Sequence, residues 1–171
     1  MNEKQSKIKE HAFEYQLRML EKEIDNIEHG IARFDDHTRA IRNWTVLTWT
    51  GAVAAIISQV PQYHQYIGIT AIIPLLFWLV DARWTFLLRA FVYRQDKIAE
   101  FLNGPNLITS FQRQELVNFK VMDARAKQHR NESEFKRRVN YRRAFFGYRE
   151  LIFFYGSLIL VSLALELFFL K

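Results

Sequence analysis

The sequence predicts an all-α membrane protein with three transmembrane helices, an N-terminal heptad-patterned helix or helical hairpin, and a cytosolic helical region. Three observations predict this class. Half of the 171 residues are hydrophobic, yet the mean hydropathy is only -0.14, because apolar and very polar blocks alternate. Three apolar runs approach or reach the length that crosses a bilayer. Outside these runs, apolar residues recur every three or four positions, which is typical of helices.

The first segment, 1–43, carries an apolar seam at helical spacing. Steps of three and four residues keep side chains on one face, so the seam predicts assembly into a homo-oligomer. Isoleucine at both kinds of core position favours three or four chains. Gly30, Asp35 and Asp36 leave two alternatives open, a continuous stalk or a folded-back hairpin. The seam consists of Phe13, Leu17, Leu20, Ile24, Ile27, Ile31 and Phe34.

The segment 44–82 predicts a two-span transmembrane hairpin. Its first run, Trp44 to Val60, is uncharged, and its second, Tyr66 to Val80, contains Pro74, which predicts a kink. The seam spacing continues along the first run as small and polar residues. Polar groups in a membrane are costly unless they face protein or water, so these residues either line a pore or gate or pack against the other spans. The candidates are Thr45, Thr48, Ala52 and Gln59.

The segment 83–149 predicts a basic cytosolic helical region. Asn103-Gly104-Pro105 ends a first amphipathic helix. Thr109 is predicted to cap a second helix through Leu116, Phe119 and Met122, and Asn131 is predicted to cap a third, basic helix. Four arginines are candidates for binding an anionic ligand or lipid, the alternative being that they only set the membrane topology. They are Arg137, Arg138, Arg142 and Arg143.

The last segment, 150–171, predicts the third transmembrane helix, with Glu166 as the only charge between Leu151 and Leu170. Glu166 is either a pore-mouth or inter-subunit residue or one that reaches the outer interface. The loop Pro61 to Gln65 contains no Lys or Arg. By the positive-inside rule, the N-terminus and the basic region are therefore cytoplasmic, and Lys171 is outside.

Enzymatic chemistry is not predicted. The sequence has no cysteine, and no phosphate-binding loop, HExxH pair or nucleophile elbow is present. His29 and His37 are eight residues apart, but we expect surface or capping roles for them. We therefore expect no catalytic residue, no metal and no cofactor.

Four short motifs stand out along the first half of the chain. They are Ile24-Asp25-Asn26-Ile27, Ile31-Ala32-Arg33-Phe34, Asn43-Trp44-Thr45-Val46 and Pro74 to Asp81. In this order they resemble a widespread family of small bacterial membrane proteins. The family has a basic-Gly-Trp-Thr/Ser-Val entry to its first span and an exit from the second with proline, Phe-Trp and Asp; here Arg42-Asn43 replaces the basic-glycine pair. Similar SLATT-like effectors, with the Hailong-type membrane effector as the candidate that the motifs favour, accompany nucleotide-signal enzymes in bacterial anti-phage systems.

The resemblance implies a membrane effector that is silent until infection and then opens or disrupts the inner membrane. We therefore expect an oligomeric gated ion channel or membrane-permeabilising protein of the bacterial inner membrane. Its regulator would be a nucleotide or oligonucleotide signal or a companion nucleotidyltransferase-type protein. The alternatives are a non-conducting membrane scaffold and a membrane-anchored receptor of nucleotide or nucleic acid.

Overall fold

The computed structural model describes residues 3–170, apart from the side chain of Gln62, and every regular element in that range is helical. The all-α prediction is confirmed. Two 3₁₀ helices, Pro61–Ala71 and Lys127–His129, lie between the α-helices. The α-helices are α1 (Glu3–Ile57), α2 (Ile72–Leu102), α3 (Pro105–Arg113), α4 (Ser133–Arg138), α5 (Tyr141–Phe146) and α6 (Arg149–Phe169).

Helix α1 is unbroken from Glu3 to Ile57, so the hairpin alternative is wrong. Gly30 has another role. A Cβ at this position would lie 2.7 Å from Cε1 of Phe91 on α2, so the glycine permits the close approach of that ring. Its cost of about 1 kcal/mol relative to alanine does not break a long helix that is supported by packing along one face.

Internal contacts divide the chain into two compact units. Unit 1 comprises Met1–Arg33 and Leu87–Val139, and unit 2 comprises Phe34–Phe86 and Asn140–Lys171. Helices α1 and α2 each contribute one part to unit 1 and another part to unit 2. Each unit therefore combines segments that are distant in the sequence.

The N-terminal seam contributes to the core of unit 1. Leu20 and Ile27 on α1 pack with Ile98 and Phe101 on α2, and each of the four is at most 5% exposed. The seam therefore folds the chain on itself, while assembly of several chains through its edge stays a prediction. The partly buried members within this unit are Leu17, Ile24 and Ile31.

The chain after α3 differs from the predicted helix through Leu116 and Met122. Thr109 lies inside α3 and donates its hydroxyl to the Pro105 carbonyl at 3.1 Å instead of capping a new helix. Residues 114–126, called the strap below, are irregular. Four of them have positive φ, which turns the backbone out of a helix: Gln114 (52°), Asn118 (55°), Met122 (64°) and Ala126 (50°).

The predicted basic helix after Asn131 is also interrupted. Asn140 is extended (φ -142°, ψ 152°) and separates α4 from α5. Its side-chain oxygen accepts a hydrogen bond from the Arg143 backbone N–H at 2.7 Å, so it caps α5. The N-cap of α4 is Glu132, and not Asn131 as predicted.

Two helical stretches, Tyr63–Leu102 and Ser133–Phe169, are long and apolar enough to cross a membrane, judged by length and composition. Only 28% and 17% of their most apolar windows are buried within the chain, so most of this apolar surface is exposed. The predicted span from Trp44 to Val60 is not among these stretches, and α1 itself ends at Ile57. Lys171, predicted to lie outside the membrane, is not among the described residues.

Near Pro74, where a kink was predicted, the helix type changes from 3₁₀ to α. The 3₁₀ helix ends at Ala71, and Pro74 is the third residue of α2. Because proline has no N–H, it cannot donate to the carbonyl of Thr70, four residues earlier. Helix α2 then continues to Leu102, so the predicted second span and the amphipathic segment after it form one helix.

Candidate functional site

The pore and gate candidates on α1, and Gln59 just after its end, have different environments. Thr45 is fully buried in unit 2 and donates its hydroxyl to the Ile41 carbonyl at 2.8 Å. Thr48 and Gln59 are exposed, and Ala52 is partly buried. The predicted single face is therefore divided between the interior and the surface of unit 2. Gln59 also contributes to an open cavity of about 490 Å³, which is lined by Ala55, Ile56, Gln59, Tyr63 and Tyr66.

Asp81 is the centre of one buried polar cluster in unit 2. Arg42 donates through Nε to Asp81 Oδ2 at 3.3 Å, and the Tyr155 hydroxyl donates to the same oxygen at 3.0 Å. Asp81 and Tyr155 are fully buried. Arg83, two residues after Asp81, donates to the hydroxyl of Tyr141. This cluster joins α1, α2 and α6 through one carboxylate.

Ser162 is the centre of a second cluster, which is uncharged. Its Oγ accepts a hydrogen bond from Trp49 Nε1 at 2.8 Å and lies 3.0 Å from the hydroxyl of Thr70. Ser162 in turn donates to the Leu158 carbonyl of its own helix at 3.0 Å. Three helical segments of unit 2 thus share one serine oxygen, and the polar side-chain atoms of this cluster have partners, as an apolar environment requires.

Glu166 lies beside the 3₁₀ helix. It is partly buried, and its carboxylate contacts Gly68, where an added Cβ would be 2.2 Å from Oε2. At the same end, Nε2 of His64 lies 3.1 Å from the Ile57 carbonyl at the end of α1, and its ring lies 4.8 Å from that of Phe169. The glycine allows the carboxylate of α6 to approach the 3₁₀ backbone.

Unit 1 contains a buried ion pair that the sequence analysis did not find. Arg94 on α2 donates through Nε to Glu23 Oε1 at 2.8 Å and through Nη2 to Glu23 Oε2 at 3.2 Å. Arg94 is 0% and Glu23 is 1% exposed. The backbone N–H groups of Met122 and Asp123 also donate to the Glu23 carboxylate, at 2.6 and 2.9 Å.

This pair holds the strap. Besides the two backbone N–H groups on Glu23, the Arg94 guanidinium donates to the Lys120 carbonyl and lies 4.5 Å from the ring centre of Phe119. The carboxylate thus has four donors, which offsets the high cost of burying a charge. Met122, one of the donors, has a positive φ, so the ion pair stabilises a backbone conformation that is unfavourable for this residue.

A signal for this pair was present in the sequence. Glu23 is three residues after Leu20 and four before Ile27, so a charge occupies a position on the apolar seam. Arg94 stands four residues before Ile98 and seven before Phe101, again on the buried face of its helix. Charges at core positions of two helices are expected to pair with each other.

The four arginines predicted to bind an anion do not belong to one unit. Arg138 in unit 1 pairs with Asp96 at 2.7 Å and with Glu134 at 3.0 Å. Arg137, in the same unit, is exposed, as are Arg142 and Arg143 of unit 2.

Glu132, also in unit 1, has a perturbed carboxyl group. A hydrogen bond with His129 is the largest cause that lowers the pKa of Glu132 below its ordinary value of 4.5. The Tyr93 hydroxyl donates to the same carboxylate at 2.9 Å.

Within the described residues, no group of three His, Cys, Asp or Glu side chains is arranged to hold a metal ion. The buried polar groups therefore offer contacts between helices and not an arrangement of metal ligands. No protein-family model matches the chain, and no curated protein or solved structure is similar to it.

Proposed function

We propose that the protein is an oligomeric inner-membrane effector, a gated ion channel or membrane-permeabilising protein of anti-phage defence. The observation that carries this proposal is an exposed face of α1 in unit 2. Among the described residues, no side chain or neighbouring segment lies within 4 Å of the position that a Cβ of Gly51 would occupy. The exposed small and polar residues of this face are Thr48, Gly51 and Ala55, and the exposed Gln59 follows in the turn after α1.

This face supports assembly, because it belongs to the same unit as the apolar parts of the two membrane-competent stretches. We propose that the end of α1 crosses the membrane with them as a third span, with the N-terminus and unit 1 cytoplasmic. Lipid gives no hydrogen bond to a glutamine amide, and a threonine hydroxyl in lipid bonds only to its own helix, so a face that carries both favours protein or water. Gly51 and Ala55, four residues apart, would let another helix approach closely. Copies arranged around this face would turn Thr48 and Gln59 towards a common axis.

Unit 1 supports a second contact between copies. An apolar groove of about 150 Å³ runs beside the seam and is lined partly by Ile24, Ile98 and Leu102. The partly exposed edge of the seam is available to another chain, and its isoleucines favour three or four copies. A nucleotide or oligonucleotide signal, or a companion nucleotidyltransferase-type protein, would act on this unit.

A non-conducting scaffold or receptor is the second candidate. The observation that favours it is that Thr45, Thr70 and Ser162 are buried within a single chain, where they join helices and line no path. A membrane anchor needs only such internal contacts. In that case the exposed face of α1 would bind a partner helix, and no ions would pass.

Ion flux through purified protein in liposomes distinguishes the two candidates. For a channel, Thr48→Trp should strongly reduce flux and cellular toxicity, because the indole would fill the common axis, and Gln59→Leu should change the conductance. The matched control is Leu47→Trp, since Leu47 is 64% exposed on the adjacent face and would stay in lipid. If Leu47→Trp and Thr48→Trp change the flux equally, Thr48 does not face a pore. If no flux occurs under any activating condition, the scaffold is supported.

A further inference from the structure

One end of unit 2 carries a collar of exposed arginines. The described part of this unit contains six arginines and no lysine, and five of the arginines are exposed. The sixth, Arg42, is the partner of the buried Asp81. The collar consists of Arg39, Arg83, Arg142, Arg143 and Arg149.

Contacts within unit 2 place these arginines at the same end of the unit. His37, two residues before Arg39 on α1, stacks on Trp84 of α2 with ring centres 4.9 Å apart. Arg83, the neighbour of Trp84, donates to the hydroxyl of Tyr141 at the start of α5, and the Tyr141 ring stacks on Phe86 at 4.3 Å. Parts of α1, α2 and α5 therefore meet at the same end of the unit, and α6 begins three residues after α5.

Helix α5 has two faces with different chemistry. Phe145 stacks on Trp78 of α2 with ring centres 4.4 Å apart, so the aromatic face of α5 packs against the apolar part of α2. Arg142 and Arg143 stay exposed, while the neighbouring Phe146 is 60% exposed. Arginine beside exposed aromatic rings, at the end of an apolar helix, is typical of the interface between a bilayer and water.

We propose that this collar binds the phosphate groups of anionic phospholipids in the cytoplasmic leaflet. Charge complementarity selects this partner, because exposed acids near the collar, Asp35, Asp36 and Glu150, are fewer than the arginines. The planar guanidinium donates two parallel hydrogen bonds to a phosphate, which lysine cannot do. The position at the end of the apolar helices puts the arginines at the depth of the headgroups.

The arginine collar is distinct from the proposed conducting face, and lipid binding by the collar does not depend on ion conduction. It also differs from the predicted anion site. Arg138 is committed to Asp96 and Glu134 in unit 1, whereas Arg39, Arg83 and Arg149 join Arg142 and Arg143.

The test is lipid binding by the purified full-length protein in neutral detergent, followed by native mass spectrometry. Phosphatidylglycerol and phosphatidylcholine are titrated separately, and inorganic phosphate and a single-stranded oligonucleotide serve as further arms. The collar variant is R142Q/R143Q/R149Q. The matched control, R125Q/K127Q/R130Q, removes three exposed basic residues from unit 1.

We expect phosphatidylglycerol to bind more tightly than phosphatidylcholine to the wild type and the control. The collar variant should lose about fivefold in phosphatidylglycerol affinity per arginine, on the order of a hundredfold in total. Equal binding of the two lipids by the wild type, or equal losses in the two triple variants, overturns the proposal. Tighter binding of the oligonucleotide than of the lipid at the collar also overturns it. Circular dichroism of each variant verifies folding, and because no flux is measured, the result is independent of channel activity.

Discussion

The Glu23 site of unit 1 and the Ser162 site of unit 2 bury polar groups in different ways. Unit 1 buries a full ion pair, Glu23 with Arg94, and saturates its carboxylate with backbone N–H groups of the strap. Around Ser162, unit 2 buries only hydroxyl and indole groups. The comparison teaches that a charge needs several partners from distant segments, whereas a hydroxyl on a helix can always bond to its own backbone. The two sites should therefore differ in how much stability depends on one side chain.

The largest effect is expected for Glu23→Ala, which leaves Arg94 buried without its partner. We expect a loss of about 3–5 kcal/mol in the free energy of unfolding of unit 1, measured by denaturant unfolding in detergent. Glu21→Ala is the control, because Glu21 is an exposed acid on the same helix. The double variant Glu23→Leu/Arg94→Met should recover much of the loss, since apolar side chains of similar size replace both charges. Equal stability of Glu23→Ala and Glu21→Ala would contradict this account of the ion pair.

A smaller effect is expected for Ser162→Ala, which removes the oxygen that accepts from the Trp49 indole. Hydrogen bonds between membrane helices contribute about 0.6 kcal/mol on average, so we expect a loss of that order. Ser157→Ala is the matched control, since the exposed Ser157 on α6 donates to a carbonyl of its own helix. The measurement is unfolding of the protein in mixed micelles, followed by tryptophan fluorescence. A loss as large as that of Glu23→Ala would remove the difference between the units.

The smallest effect concerns Glu132. Because its pKa is lowered in the folded protein, its contribution to stability is present above its ordinary pKa of 4.5 and is lost as the pH falls through the lower folded value. The thermal unfolding midpoint should therefore decrease in acid, and Glu132→Gln should weaken this dependence slightly. Glu115→Gln, at an exposed position in the same unit, serves as the control. An identical pH profile for both variants would mean that the contacts of Glu132 with His129 and Tyr93 contribute nothing.

Local features of the chain were predictable where one helix determines them. The seam spacing predicted the helical face that carries the buried Leu20 and Ile27, and the apolar run after Leu151 predicted the apolar α6. In the same way, Tyr155 and Ser162, seven residues apart, are both buried. These predictions depend on periodicity and length, which are properties of a short stretch of sequence.

Partners between distant segments were not predictable from spacing. Asp81 pairs with Arg42 and not with the nearby Arg83, and Thr45 faces the interior while Thr48 faces outward. The strap was predicted as a helix because Leu116, Phe119 and Met122 have helical spacing. Its conformation depends instead on Glu23, which lies 99 residues before Met122.

By itself, the sequence determined the helical class, the apolar stretches and the face that α1 turns towards a core, because side-chain polarity and helical period act locally. Only the tertiary structure decided that α1 is continuous, that Leu20 and Ile27 of its seam pack against α2 of the same chain, and that Glu23 and Arg94 hold the strap. The physical reason is that a buried charge selects partners by distance in space, and a linear pattern of residues does not contain that distance.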